Sequence, residues 1–290
     1  MLLLISPNYF TVNLQALATN VFMNMNTQDE TLETIQEKAL YEHRQLIRTL
    51  ESYNIKYILY ENYNVETPDA VFANNWLSVH SDLKKLFIYP MYLQNRKQEV
   101  RFDIIMDILE RYPSMEICDL RASKEILEGT GSMVFDHSTN TIYAAVSQRT
   151  NERLVKHVAD SIRYKLVTFY TEYHNKPVYH TNVMMAIGKS WAVICTQVID
   201  MDDLPDVLKH LSATGKQLIV ISVSQMEAYC GNILEIYDAE GIPYTIMSSR
   251  AKKAFHPAQL ERLGNIIEVP LDTIETYGGG GVRCCLTEIE

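Results

Sequence analysis

The side chains with the greatest chemical capacity gather near the end of the chain, in YGGGGVRCCLTEIE, from Tyr277 to Glu290. Four glycines run there into a segment of strand type, Val282 to Ile289, that carries two adjacent cysteines. Glycines ahead of a strand allow backbone conformations closed to other residues and leave space for a ligand. Neighbours on a strand face opposite ways, so Cys284 and Cys285 cannot both address one pocket. One of them suits a nucleophile on a pocket floor. The competing reading makes both small buried hydrophobes, the usual state of a free cysteine.

A thiol nucleophile needs a base, and the base needs a group to orient it. His180 is the best acid/base candidate: it follows a turn containing Asn175 and Pro177 and leads into the apolar run Val183 to Ile187. A hydrogen-bonded structural histidine is its alternative. Glu128 precedes Gly129-Thr130-Gly131, on permissive backbone where a carboxylate can orient a histidine or simply cap the turn. Taken alone, Asp69 after Pro68 reads as a turn acid, and Arg149 as a surface residue ahead of a helix. These residues fall in the clusters PDAVFANNW (Pro68 to Trp76), LEGTGSMVF (Leu127 to Phe135), SQRTNERL (Ser147 to Leu154) and VYHTNVMM (Val178 to Met185). Each sets polar groups into apolar runs at strand ends, where they need partners or substrate, because unsatisfied burial is costly.

Other arrangements carry no chemistry. Gly188-Lys189-Ser190 imitates the end of a phosphate loop, but Val183 stands where the loop needs glycine and a strand follows. The remaining histidines show no HExxH or paired metal spacing, so no metal is expected. Ser132 is outside any GxSxG elbow.

The elements that must position these groups alternate in a regular order. Leu2 to Ile5 reads as a strand, and Leu32, Ile35, Ala39, Leu46 and Leu50 mark an amphipathic helix over Thr27 to Tyr53. Strands follow at Ile55 to Tyr60, Val71 to Val79, Leu86 to Tyr89 and Glu116 to Leu120, with a helix over Lys97 to Arg111. Ser132 to Phe135 and Thr141 to Val146 form a hairpin around DHSTN, ahead of a helix from Thr150 to Lys165 with Asn151 as cap. The order then repeats: strand Leu166 to Tyr170, hairpin Val183 to Ile187 with Trp191 to Val198, helix Asp202 to Ser212, strand Leu218 to Val223. Strands Ile233 to Tyr237 and Pro243 to Met247, helix His256 to Leu263 and strand Ile266 to Val269 lead to the cysteine segment. Hairpin, helix and strand recur roughly every 50 residues, the habit of radial repeat folds. A doubly wound sheet would show fewer hairpins. The order therefore predicts a single domain, a propeller of ββαβ units.

Composition narrows the function classes. The 290 residues are 47% hydrophobic and 21% charged, ordinary for a soluble protein with a sizeable core. A net charge of −10 argues against nucleic acid or anionic membrane as partners. The five cysteines, without CxxC, fit a reducing, cytoplasmic compartment. The opening MLLLISPNYF has too short an apolar run for a signal peptide, and no stretch approaches a membrane span.

Together the clusters resemble those of the guanidino-group-modifying enzymes: arginine deiminases, amidinotransferases and dimethylarginine dimethylaminohydrolases. The likeness is carried by PDAVFANNW, EGTGSMVF, SQRTN, YHTNVMM, CGN (Cys230 to Asn232) and GGGGVRCC, in that order over nearly the whole chain. It is strongest for the arginine-deiminase-related, amidinotransferase-like group that includes citrulline-utilisation hydrolases. The resemblance implies the five-bladed α/β propeller called the pentein. It implies Cys284 as nucleophile, His180 as catalytic histidine and Glu128 as the carboxylate orienting it. Asp69 then matches a substrate-contacting aspartate, with Phe72 beside it, and Arg149 an arginine that grips the substrate's α-carboxylate. It implies a small-molecule substrate, no cofactor and, where a partner exists, a second copy of the chain.

One departure from the pattern bears on the substrate. Where similar enzymes set acids against the guanidinium, this chain has Asn74 and Asn75, and two residues after His180 it has Asn182. Carboxylates hold a delocalised cation through charge-assisted hydrogen bonds, whereas an amide offers one donor and one acceptor function without charge. Each exchange should cost a bound cation about 1–2 kcal/mol. Three amides suit a neutral ureido group, and so citrulline over arginine. Similar enzymes that act on acylated arginine use asparagines here too. Arginine deiminase or amidinotransferase activity, or a silent pentein used as a binding protein, are the other readings.

Overall fold

The computed structural model describes residues 1–23 and 31–289. Its strands form five three-stranded sheets. In four of them a strand pairs antiparallel with the next, which pairs parallel with a third reached through a helix. The first of these units joins Leu77–His80, Lys85–Ile88 and Glu116–Asp119. The next two are Val134–Asp136, Thr141–Ala145 and Lys165–Phe169, and Met185–Ile187, Trp191–Ile194 and Gln217–Val220. Leu234–Tyr237, Pro243–Ser248 and Ile266–Val269 make the fourth. The fifth is shared between the ends of the sequence: Thr287–Glu288 pairs antiparallel with Leu2–Ile5, which pairs parallel with Tyr57–Tyr60. Its pairings close the ring.

The first strand of each unit faces the axis. First strands of neighbouring units touch, Val134–Asp136 against Met185–Ile187 and Thr287–Glu288 against Leu77–His80 among them. Along the axis runs a cavity of about 580 Å³, lined by His80, Asp136, Ile187, Glu235 and Glu288, one from each first strand. The crossover helices cover the outer surface. Leu32–Ser52 is capped by Thr31, whose hydroxyl accepts from the Thr34 N–H, and buries Ile35, Ala39, Leu46 and Leu50. Glu152–Ile162 is capped by the Asn151 side chain and stops at Arg163, in the left-handed region at φ 59°. No described helix is long and apolar enough to cross a membrane.

Several expected elements are corrected. The expected start of the first helix falls outside the described residues, and the helix is seen from Leu32. Val71 to Val79 is not one strand: a buried turn and a 3-10 turn, Ala73–Asn75, precede Leu77–His80. Lys97 to Arg111 divides into a 3-10 turn, Arg96–Glu99, and the helix Phe102–Arg111. The cysteines lie in a 3-10 turn, Val282–Cys285, and only Thr287–Glu288 is strand. The helix Asp272–Gly278, just ahead of the glycines, was not expected. Apolar residue types led to strand assignments wherever the backbone instead turns inward and is satisfied by buried side chains.

Candidate active site

The candidate residues occupy the same place in successive units, the tight turn that leads into each first strand. Ala73–Asn75 precedes Leu77–His80, Gly129–Ser132 precedes Val134–Asp136, and Thr181–Val183 precedes Met185–Ile187. Cys230 to Asn232 precedes Leu234–Tyr237, and Val282–Cys285 precedes Thr287–Glu288. Radial repetition thus brings Asn74 and Asn75, Glu128, His180 and Asn182, Asn232 and Cys284 to one end of the axis. All seven are buried.

Cys284 sits among amides. Its Sγ is 3.2 Å from Nδ2 of Asn232 and 3.5 Å from Nδ2 of Asn182. Its own N–H donates to Oδ1 of Asn232 at 3.3 Å. Burial raises the thiol's pKa, and Asn232, Arg283 and Asn182 pull the other way. Cys285 has its Sγ 3.6 Å from the Gly281 carbonyl oxygen and is fully buried. At Gly280, a Cβ would lie 3.0 Å from the Phe72 ring and 3.2 Å from Cβ of Cys284, which explains a glycine there.

His180 and Glu128 form a buried pair, Nε2 to Oε2 at 2.7 Å. The other carboxylate oxygen accepts from the backbone N–H of Tyr92 at 2.9 Å. Burial opposes ionisation of Glu128, but the Arg149 guanidinium and the His180 hydrogen bond hold its carboxyl well below the usual range. As an ionised acceptor it requires Nε2 to carry the proton, leaving Nδ1 as the free base. Burial pushes the imidazole down to about 4 despite the carboxylate, so it is neutral at rest. Asn182, two residues along from His180, reaches the sulfur, so the turn that carries the imidazole runs beside Cys284.

Asp69, Phe72 and Arg149 join this site. Asp69 accepts from Asn13 at 2.6 Å and lies 3.9 Å from Arg96. Arg149 is tied to Glu128 at 3.4 Å, to the Thr19 hydroxyl at 2.8 Å and to the Tyr179 ring face. It is therefore partly engaged within the protein. Among the described residues, Oδ1 of Asp69, Oδ1 of Asn74, Nδ2 of Asn75 and Nε of Arg149 are buried without a hydrogen-bond partner. Such orphans are costly unless a ligand satisfies them. The N-terminal segment closes over the site through Asn13, Thr19 and Asn20, whose Nδ2 donates to the Gly278 and Gly279 carbonyls.

Sequence reasoning missed Arg96, Glu99 and Asn232 as site residues. Arg96 stands just before the helix expected over Lys97 to Arg111 and Glu99 within it, and neither was singled out; Glu99 holds Arg96 at 2.7 and 2.9 Å inside the core. Asn232 lay within the recognised CGN, and its single polar side chain among apolar neighbours was the available signal. Among the described residues, no group of three or more histidines, cysteines or acids could hold a metal ion.

Residues 6–290 match the family described as N,N dimethylarginine dimethylhydrolase, eukaryotic. The chain belongs to that family. It is a pentein of the guanidino-group-modifying superfamily, a hydrolase of C–N bonds other than peptide bonds. No functionally curated protein matches the sequence at a significant level. Among solved structures, the N-terminal domain of ArgZ, an arginine dihydrolase of cyanobacteria, covers 100% of this chain at 16% identity and TM-score 0.78, with 97% of that domain matched. It has been captured covalently bound to a reaction intermediate. AgrE with L-arginine matches over 100% of this chain and 40% of its own length, at 14% identity and TM-score 0.78. A dimethylarginine dimethylaminohydrolase, as its adduct with S-methyl-L-thiocitrulline, matches over 99% of this chain and 98% of its own, at 17% identity and TM-score 0.69. At these identities the family member shares a fold with them.

Proposed function

We propose that this family member hydrolyses the ureido group of citrulline through a covalent adduct on Cys284. The observation that carries this reading is the set of three buried amides, Asn74, Asn75 and Asn182, where a guanidinium would call for carboxylates. The Cys284 thiol gives its proton to Nδ1 of His180 as sulfur bonds to the ureido carbon. The tetrahedral adduct expels ammonia, which takes the proton back from the imidazolium, and a thiocarbamate remains. His180 then takes a proton from water, hydroxide adds to the same carbon, and the sulfur leaves and recovers that proton from the imidazolium, restoring thiol and neutral base. The released carbamate loses carbon dioxide to yield ornithine. Glu128 holds Nε2–H throughout and stabilises the transient imidazolium. The amides of Asn182 and Asn232 donate to the sulfur as it gains charge.

A second reading, arginine dihydrolase, is favoured by the fold shared with ArgZ and adds arginine deimination ahead of the same ureido step. The test is product analysis with citrulline, arginine, N,N-dimethylarginine and an acylated arginine. Ornithine and ammonia from citrulline support the first reading; ornithine from both citrulline and arginine supports the second. Citrulline accumulating from arginine or dimethylarginine, with citrulline itself inert, overturns both.

A further inference from the structure

Asn75 has a polarity imposed by a neighbour that can only donate. Nη1 of Arg96 donates to Oδ1 of Asn75 over 2.8 Å. A guanidinium has no acceptor, so the amide oxygen must face it and Nδ2 must turn away. That Nδ2 is buried and has no partner among the described residues. It lies near the catalytic base, both packed so closely on Gly131 that a Cβ there would clash, 2.4 Å from Nδ2 of Asn75 and 2.8 Å from Nδ1 of His180. Arg96 is itself immobilised, by Glu99 at 2.7 and 2.9 Å and by the Phe72 carbonyl at 3.2 Å. Reversing the amide would set an N–H against the guanidinium, so the orientation has no low-energy alternative.

We propose that Asn75 is a one-way donor to the oxygen of the reacting group, and that the Arg96–Glu99 pair is the positioning device that fixes this polarity and thereby selects ureido over guanidinium. The proposal rests on the ureido reading above and deepens it. A ureido carbonyl offers an acceptor to Nδ2 of Asn75. As the sulfur–carbon bond forms, the carbonyl π pair moves onto that oxygen, and the donor meets a growing negative charge. A guanidinium presents N–H groups alone, so donor would meet donor.

The experiment compares binding of citrulline and arginine by calorimetry in a Cys284→Ser background, with and without Arg96→Gln/Glu99→Gln. The double exchange avoids a lone buried charge, and the Kd ratio cancels whatever both ligands share, the α-carboxylate included. The preference for citrulline should fall by about fivefold to tenfold, the worth of one neutral hydrogen bond. Asn75→Asp, which presents an acceptor whichever way it turns, should move the ratio further toward arginine. A folded double variant with an unchanged ratio overturns the proposal; if the double variant does not fold, an unchanged ratio in Asn75→Asp does so. Citrulline turnover by the wild type, with a ratio indifferent to these changes, sinks the polarity device alone. A ratio that responds as expected, in a protein that releases no ornithine, sinks the hydrolase reading alone.

Discussion

Oε2 of Glu128 accepts from Nε2 of His180 at 2.7 Å while Oε1 accepts from the Tyr92 N–H at 2.9 Å, so each carboxylate oxygen has a separate task. In Glu128→Gln the amide oxygen would be held by Tyr92 and the NH₂ turned to the imidazole. Nε2 must then accept, and the proton moves to Nδ1, where the base should be. The wrong tautomer should lower kcat by about 10³- to 10⁴-fold with the fold intact. Steady-state kinetics beside thermal melting check this; a loss under tenfold would mean that Glu128 does not set the tautomer.

The two cysteines should separate cleanly. Cys284→Ser should lower turnover by about 10⁴-fold or more, because a hydroxyl is far less acidic than the thiol and no stronger base is present. Cys285 packs as a small apolar side chain against the glycine turn, and its thiol is pushed well up by burial. Cys285→Ser should keep turnover within about tenfold and cost roughly 1–3 kcal/mol of stability for a buried hydroxyl. Covalent labelling by a haloacetamidine, followed by peptide mass analysis, should mark residue 284. Labelling of residue 285 would reverse the assignment.

Stability should fall in acid because of buried neutral histidines. Burial pushes His43 and His180 down to about 4 and, with repulsion from His137, His80 to about 3. An unfolded histidine titrates near 6.5. Between the folded and unfolded values the unfolded chain binds more protons, so this stability is complete above about pH 6.5 and is lost as pH falls through that window. His80, hydrogen-bonded to Ser78 at 3.0 Å and without a part in the steps proposed above, allows a test. His80→Gln should show a smaller loss of Tm between pH 7 and pH 4.5 than the wild type. Parallel losses would contradict the assignment.

Much of the architecture was legible from residue order. The alternation of hairpin, helix and strand identifies ββαβ units because periods of 2 and 3.6 are local properties of side-chain type. Cys284, His180 and Glu128 stood out because each lies beside glycine or a turn; the structure pairs His180 with Glu128 and sets Asn182 of the His180 turn against Cys284. The backbone of the cysteine segment was misread, since Val282–Cys285 has the apolar types of a strand and takes a 3-10 turn only because the ring of strands leaves it no ladder partner until Thr287. Arg96, Glu99 and Asn232 were missed for a related reason: a charge or an amide is the same letter whether solvated or buried.

The sequence alone determined the repeat, the kinds of reactive group and the asparagines at positions 74, 75 and 182. Tertiary structure decided which way those groups point. The direction of the Asn75 amide depends on Arg96, 21 residues away in the chain. The proton position on His180 depends on Glu128, at a separation of 52. Donor and acceptor polarity is set by the partner across the space, and partners are chosen by closure of the ring, not by neighbours in the chain.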